Sequence, residues 1–174
     1  MSVEIFEIFD TDERLIGELP REEVHKMGHI HRASHVLVWR SNGNLVLQKR
    51  TKMKDVYPGK WDLSTAEHAK PGEAPFETAL RGLKEELGIS SCCLTQLAGR
   101  RLNRLDLPTL KIHDYEFVRT FSTIVDAPLA MDSEEVAQLR EIPLKDLAKE
   151  MSSAPQSFTP WFIRDYYELV QTTV

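Results

Sequence analysis

The spacing of hydrophobic positions changes several times along the chain, and each change predicts an element. Residues 3–9 (Val3-Glu4-Ile5-Phe6-Glu7-Ile8-Phe9) partly alternate, as a half-buried strand does. Leu15 to Leu19 can pair with them across a turn at Asp10 to Glu13, which predicts a hairpin over about residues 1–20. Arg32 to Arg40 and Leu45 to Arg50 read as strands, and Asn42-Gly43 between them is a hairpin signal. Pro58-Gly59 marks a turn. Phe76, Ala79, Leu80, Leu83 and Leu87 recur at helical spacing. Pro75 near the start and Gly88 at the end bound that helix at 75–88. Ile112 to Val125 reads as one long strand, and Leu144 to Met151 and Pro160 to Val170 as helices. Strands around a central helix, with more helix at the end, predict an α/β or α+β sandwich. Repeats, low-complexity tracts and linkers are lacking, so residues 1–174 are expected to form one domain.

Composition narrows the function classes. Apolar runs such as Val36-Leu37-Val38-Trp39 stop after a few residues, whereas a membrane span needs about 20. The first residues, MSVEIFEIFDTDE, are acidic where a signal peptide would be basic. Cys92 and Cys93 are adjacent, cannot found a disulfide framework, and read as two reduced thiols in a strand. A cytoplasmic protein without membrane partners is the expectation. The net charge of −5 does not suit nucleic-acid polymers, which call for a basic face. An anionic small molecule would need a local basic patch. Lys49-Arg50-Thr51-Lys52-Met53-Lys54, followed by Lys60, supplies one and would steer a diphosphate.

On a helical wheel at about 100° per residue, with Leu83 at zero, Phe76, Ala79, Leu80 and Leu87 fall within about 60° and define a buried face. Glu85 lands near ~200° and Glu86 near ~300°, so the two carboxylates flank the opposite side with position 82 midway between them. Clustered carboxylates raise one another's pKa unless a cation neutralises them. Mg²⁺ is a natural partner, commonly held by one or two carboxylates together with substrate phosphates.

Residues 67–89 resemble the Nudix box, G-x5-E-x7-R-E-U-x-E-E-x-G-U, where U is aliphatic. Glu73, Arg81, Leu83, Glu85, Glu86, Gly88 and Ile89 match. The first box glycine is Glu67 here, and the Glu after the Arg is Gly82. The resemblance implies the Nudix fold, a mixed β-sheet packed between helices, and divalent metal (Mg²⁺ or Mn²⁺) held against a diphosphate by Glu85 and Glu86. It implies a structural Arg81–Glu73 pair. Gly82 removes the central carboxylate and costs about 1 kcal/mol against Ala inside a helix. Either the metal site is rebuilt with other ligands or catalysis is weakened.

Beyond the box, roughly residues 10–165 resemble the Nudix branch that contains type I isopentenyl diphosphate isomerase. His31-Arg32-Ala33-Ser34, Leu47-Gln48-Lys49-Arg50, Tyr57 to Ser64, Asp114-Tyr115-Glu116, Glu134-Glu135-Val136 and Phe158-Thr159-Pro160-Trp161 carry the likeness. It implies a metal held by His31, His68, Asp114 and Glu116. Independently, residues i and i+2 of a strand share a face, so Asp114 and Glu116 converge. Imidazole with carboxylate suits Zn, Mn or Fe better than Mg. The isomerase's first histidine has no match in register; His25 and His29 lie nearby, and His35 reads as packed or hydrogen-bonded. Arg50 and Lys54 match its diphosphate-binding pair, and Trp161 its cation-facing indole, with a core Trp as the alternative. Its cysteine is Ala66 here, and Arg104 or a nearby residue stands where its tyrosine should fall. The leading expectation is a hydrolase of a small nucleoside- or isoprenoid-type diphosphate, with Glu116 or Glu67 as the base. An isomerase-like enzyme and a catalytically weak ligand- or partner-binding module are the alternatives. A monomer or homodimer is expected.

Overall fold

A computed structural model describes residues 3–171; the remaining ends of the 1–174 span, including the first residues of the expected hairpin, lie outside the described residues. Strands β1 (Ile5–Phe9) and β2 (Leu15–Pro20) form the expected antiparallel hairpin. Asp10 closes its turn by accepting from the amides of Asp12 and Arg14. A short helix that the hydrophobic spacing did not predict, α1 (Arg21–Met27), follows at once and ends on left-handed Gly28.

The sheet is built around β3 (Ile30–Trp39), which begins two residues before the expected strand. β4 (Leu45–Arg50) folds back on it through Asn42-Gly43, and Gly43 takes the positive φ such a turn demands. The short strands β5 (Trp61–Asp62) and β6 (Thr65–His68) pair with β4 and β3. Helix α2 (Pro75–Leu87) has Pro75 in its first turn and closes on left-handed Gly88. Like β5 and β6, two longer strands went unpredicted: β7 (Thr95–Leu107) and β9 (Val136–Ile142). β8 (Ile112–Ile124) runs parallel to β3 along ten paired positions, Ile30↔Tyr115 to Trp39↔Ile124, and antiparallel to β7. α3 (Leu144–Ser153) and α4 (Pro160–Asp165) follow, and Tyr166–Val170 continues α4 as a wider turn.

Strand alternation sends β3's side chains to two layers. Val36 and Val38 pack with Ala79, Leu83 and Leu87 of α2, while Leu37 packs with Leu147, Met151, Phe158 and Phe162 of the C-terminal helices. The mixed sheet is thus packed between helices, as expected. Phe76 departs from its expected place: it is 47% exposed and meets Phe121 edge-on. Cys92 and Cys93 are free thiols in the connection from α2 to β7, outside any strand. Among the described residues no helix is long and apolar enough to cross a membrane.

Candidate functional site

β3, β6 and β8 run side by side, and their neighbouring ends carry the chemistry. His31 is fully buried on β3, opposite Glu116 of β8 in register, and His68 closes β6 opposite Ala33. α1 brings in His25. The ligand atoms of His25, His31, His68 and Asp114 all lie within 4.8 Å of one another. His25 Nε2 and His31 Nε2 lie 3.6 and 3.5 Å from Asp114 Oδ1, and His68 Nε2 lies 3.1 Å from Glu116 Oε1. The edge of a tetrahedral site with metal–nitrogen bonds of about 2.0 Å is about 3.3 Å, so these spacings suit a shared cation. Phe6 stacks on the His31 ring at 4.9 Å and walls the cluster from the sheet edge. Of the two histidines near the unmatched position, His25 joins this cluster, while the backbone carbonyl of His29 only faces His31 Nδ1.

The protonation states agree with a cation site. Burial, with the neighbouring His68 and Arg21, holds His25 down to about 3. Burial, with Arg21, does the same to His68, and His31 is pushed well below its ordinary value. All three imidazoles are therefore neutral and able to donate a lone pair. Burial pushes Asp114 up to about 8, with Glu116 beside it adding to the effect, and burial also raises Glu116. His25 Nε2, His31 Nε2 and Asp114 Oδ1 are buried without a hydrogen-bond partner. Such orphaned groups destabilise a fold unless something satisfies them.

A second carboxylate group adjoins the first, because Glu67 precedes His68 on β6. A groove holds Glu67, Glu85, Glu86, Arg50, Lys54 and Arg81. Glu85 is exposed on α2, as expected. Glu86 is not: it is only 6% exposed, and its carboxylate accepts from Gln48 Nε2 and Thr65 Oγ1, each at 2.7 Å. Burial, with Glu67 nearby, pushes it up to about 8. At about 300° on the wheel Glu86 stands only about 60° from Leu83, at the margin of the buried face rather than opposite it, and β6 of the sheet covers that margin.

Gly82 makes that second contact. A Cβ on Gly82 would stand 2.8 Å from Thr65 Oγ1 and 3.0 Å from the Cβ of Glu67. The two departures from the box therefore face each other: the carboxylate absent from the helix is present on the strand it touches. Arg81 binds Glu73 through Nε and Nη2 at 2.8 Å each and reaches Glu67 at 3.2 Å and Glu85 at 3.1 Å. Burial raises Glu67, against the pull of Arg81.

Arg50 lines both the groove and the histidine cavity, with its guanidinium 5.2 Å from the centre of the Trp161 ring. Trp161 is a cavity wall fixed by its indole N–H donating to the buried Asp62 at 2.7 Å. Lys54 lines the groove paired to Glu135. The Arg104 guanidinium lies over the Tyr115 ring, and the residue opposite Glu116 in register is Asn103. His35 is hydrogen-bonded, as expected, and its partner comes from far along the chain: its Nδ1 meets Asp165 Oδ2 at 2.7 Å, and Arg101 holds the other oxygen at 2.7 Å.

The NUDIX domain profile matches residues 29–162. An uncharacterised Nudix hydrolase of Pseudomonas aeruginosa is 36% identical over 146 residues, covering 84% of this chain and 82% of the relative. An isopentenyl-diphosphate Delta-isomerase of Streptomyces avermitilis is 33% identical over 160 residues, covering 91% and 80%. In fold, the chain is similar to DR0079 of Deinococcus radiodurans, with TM-score 0.69 and 18% identity over 87% of this chain and 90% of that one. It is also similar to a MutT protein of Methanosarcina mazei, with TM-score 0.63 and 21% identity over 80% and 91%. With the box helix on the sheet and its carboxylates in one groove, these matches place the chain in the Nudix family.

Proposed function

We propose that this protein is a metal-dependent hydrolase of a diphosphate linkage in a small molecule. The observation that carries the reading is the facing of Glu67 and Gly82, which returns a third carboxylate to the groove of Glu85 and Glu86. Glu85 and Glu86 would hold Mg²⁺ or Mn²⁺, and His25, His31, His68 and Asp114, beside Glu116, would hold a second cation of the Mn, Fe or Zn type. Divalent metal supplies polarisation of the phosphoryl oxygen there. Arg50 and Lys54 bind the diphosphate, the first as a fork and the second as a point charge. Glu67 takes the proton of the attacking water. Burial raises it against the pull of Arg81, the direction that strengthens a carboxylate as a base.

Isomerase-like chemistry is the second reading, and the histidine cluster speaks for it. Proton transfer to and from a double bond needs acid–base groups on both faces of the carbon chain, however. The positions that match the isomerase's cysteine and tyrosine supply no such pair: Ala66 has no proton to give, and Arg104 and its neighbour Asn103 stand where the tyrosine should fall. We therefore favour hydrolysis. The test is release of phosphate or a monophosphate from a diphosphate panel that includes isopentenyl diphosphate, with Mg²⁺, with Mn²⁺ and without metal. Metal-dependent turnover that is abolished in Glu86→Gln and falls about 10²–10⁴-fold in Glu67→Gln supports the reading. Ligand binding without turnover at any metal concentration would favour a binding module instead, and isomerised product would favour the second reading.

A further inference from the structure

The groove and the histidine cavity share Arg50, Glu67 and His68, and the cavity in turn shares Asp114, Glu116 and Trp161 with a third, smaller recess. The groove and the recess share no wall residue, so the recess lies beyond the histidine cavity as seen from the groove. Asn103, Arg164 and Pro160 line the far recess.

Asp114 and Glu116 lie on the recess wall toward the cavity, yet two donors of the recess, on Asn103 and Arg164, are set in place with bonds left to give. Asn103 is 6% exposed, and its register on β7 puts it beside Glu116. Arg164 Nη1 donates to Asn103 Oδ1 at 2.5 Å, which fixes the amide with Nδ2 as its free end. That Nδ2 is buried and has no acceptor among the described residues. Arg164 is held from behind, because its neighbours Phe162 and Asp165 are buried in the core and in the His35 pair. No carboxylate among the described residues lies within ion-pair distance of its guanidinium; Asn103 is its polar contact. A buried amide N–H₂ and a half-buried guanidinium thus meet at one point with bonds left to give. An apolar group there would strip both of water and return nothing.

We propose that Asn103 and Arg164 form a recognition subsite for an anionic oxygen group, a carboxylate or a phosphate ester, at the end of the substrate remote from the diphosphate. The orientation rests on the hydrolase reading above; the subsite itself rests on these two side chains. It makes the substrate a molecule charged at both ends, and it disfavours a plain isoprenoid tail.

The test is binding in the presence of Mg²⁺, by calorimetry, of alkyl diphosphates matched in chain length and ending in methyl, carboxylate or phosphate monoester. Wild-type protein is expected to bind a charged-ended member at least tenfold more tightly than its methyl-ended counterpart. That ratio should collapse toward one in Arg164→Met and in Asn103→Leu, with melting curves checking that each variant folds. Which charged end wins distinguishes carboxylate from phosphate. Equal or tighter binding of the methyl-ended member, no binding of any member, or a loss common to all three in both variants would overturn the proposal. Failure of the hydrolase reading would look different, with the preference intact and none of the compounds cleaved.

Discussion

Exchanging Glu67 and Gly82 back to the family arrangement tests the packing and the chemistry together. Gly82→Ala alone should gain about 1 kcal/mol from helix propensity. Against this, the new Cβ would sit 2.8 Å from Thr65 Oγ1 and 3.0 Å from the Glu67 Cβ. Neither atom is the far end of a long side chain, so relief requires the helix and β6 to part, an overpacking cost of about 1–3 kcal/mol. Turning Thr65 aside would also remove one of the two donors to buried Glu86, at a cost of about 1–3 kcal/mol. The losses exceed the gain, so Gly82→Ala should destabilise by about 1–5 kcal/mol, a fall in Tm of roughly 2–20 °C for a chain of this size. Gly82→Glu should be at least as costly. Glu67→Gly removes the 3.0 Å obstacle and, on the proposal, the base. The double variant Glu67→Gly/Gly82→Glu should recover part of both losses, in part only because Thr65 remains. Urea unfolding of the four proteins would give a coupling energy, expected at about 0.5–3 kcal/mol in favour of the pair, with activity read in parallel on the diphosphate panel. Additive stabilities would refute the packing argument. An inactive but stable double variant would refute the idea that one carboxylate replaces the other.

Metal binding should be strongly pH-dependent. Glu86 and Asp114 are both pushed up to about 8, so below that pH a cation must displace a proton from each site it enters, and affinity should fall by up to tenfold per pH unit per proton. The Mn²⁺-induced rise in Tm should therefore be larger at pH 8.5 than at pH 6.5, and a rise equal at both values would refute the assignment. His31→Ala should abolish much of that rise with Mn²⁺ while sparing the response to Mg²⁺, as separate sites require. Asp165→Asn should destabilise the fold by about 3–5 kcal/mol in thermal or chemical unfolding, since it leaves buried His35 without its carboxylate and Arg101 with Glu168 in place of two. The partners' shifts also set a pH window. His35 is raised, against the lowering effect of burial, by Asp165; Asp165 is lowered, against the raising effect of burial, by His35 and Arg101. The pair's stabilisation should thus be full between the ordinary Asp and His values, fade as pH falls through the lowered Asp165 value, and fade again as pH rises through the raised His35 value.

What the sequence disclosed and what it concealed follow one physical division. Period and local chemistry revealed the box helix, with its apolar stripe, Pro75 and Gly88, and the i, i+2 convergence of Asp114 and Glu116. β7 stayed hidden because it pairs only with β8, carries polar residues on both faces, and breaks register near Ala98 and again before Arg101. No alternation survives that. α1 stayed hidden because seven residues hold too few turns for a stripe and Pro20 gives no side-chain cap, and with it went the role of His25. The His35–Asp165 pair spans 130 residues, beyond any local pattern. Glu86 is the instructive case. Its wheel angle lies at the edge of the apolar stripe, about 60° from Leu83, and charge alone assigned it to solvent; Gly82 beside it lets β6 approach, so Glu86 becomes a buried acceptor. The two apparent defects of the box are thus one feature. The glycine opens the space, the strand glutamate fills it, and a carboxylate rooted in the sheet stands beside Glu85 and Glu86 in the groove.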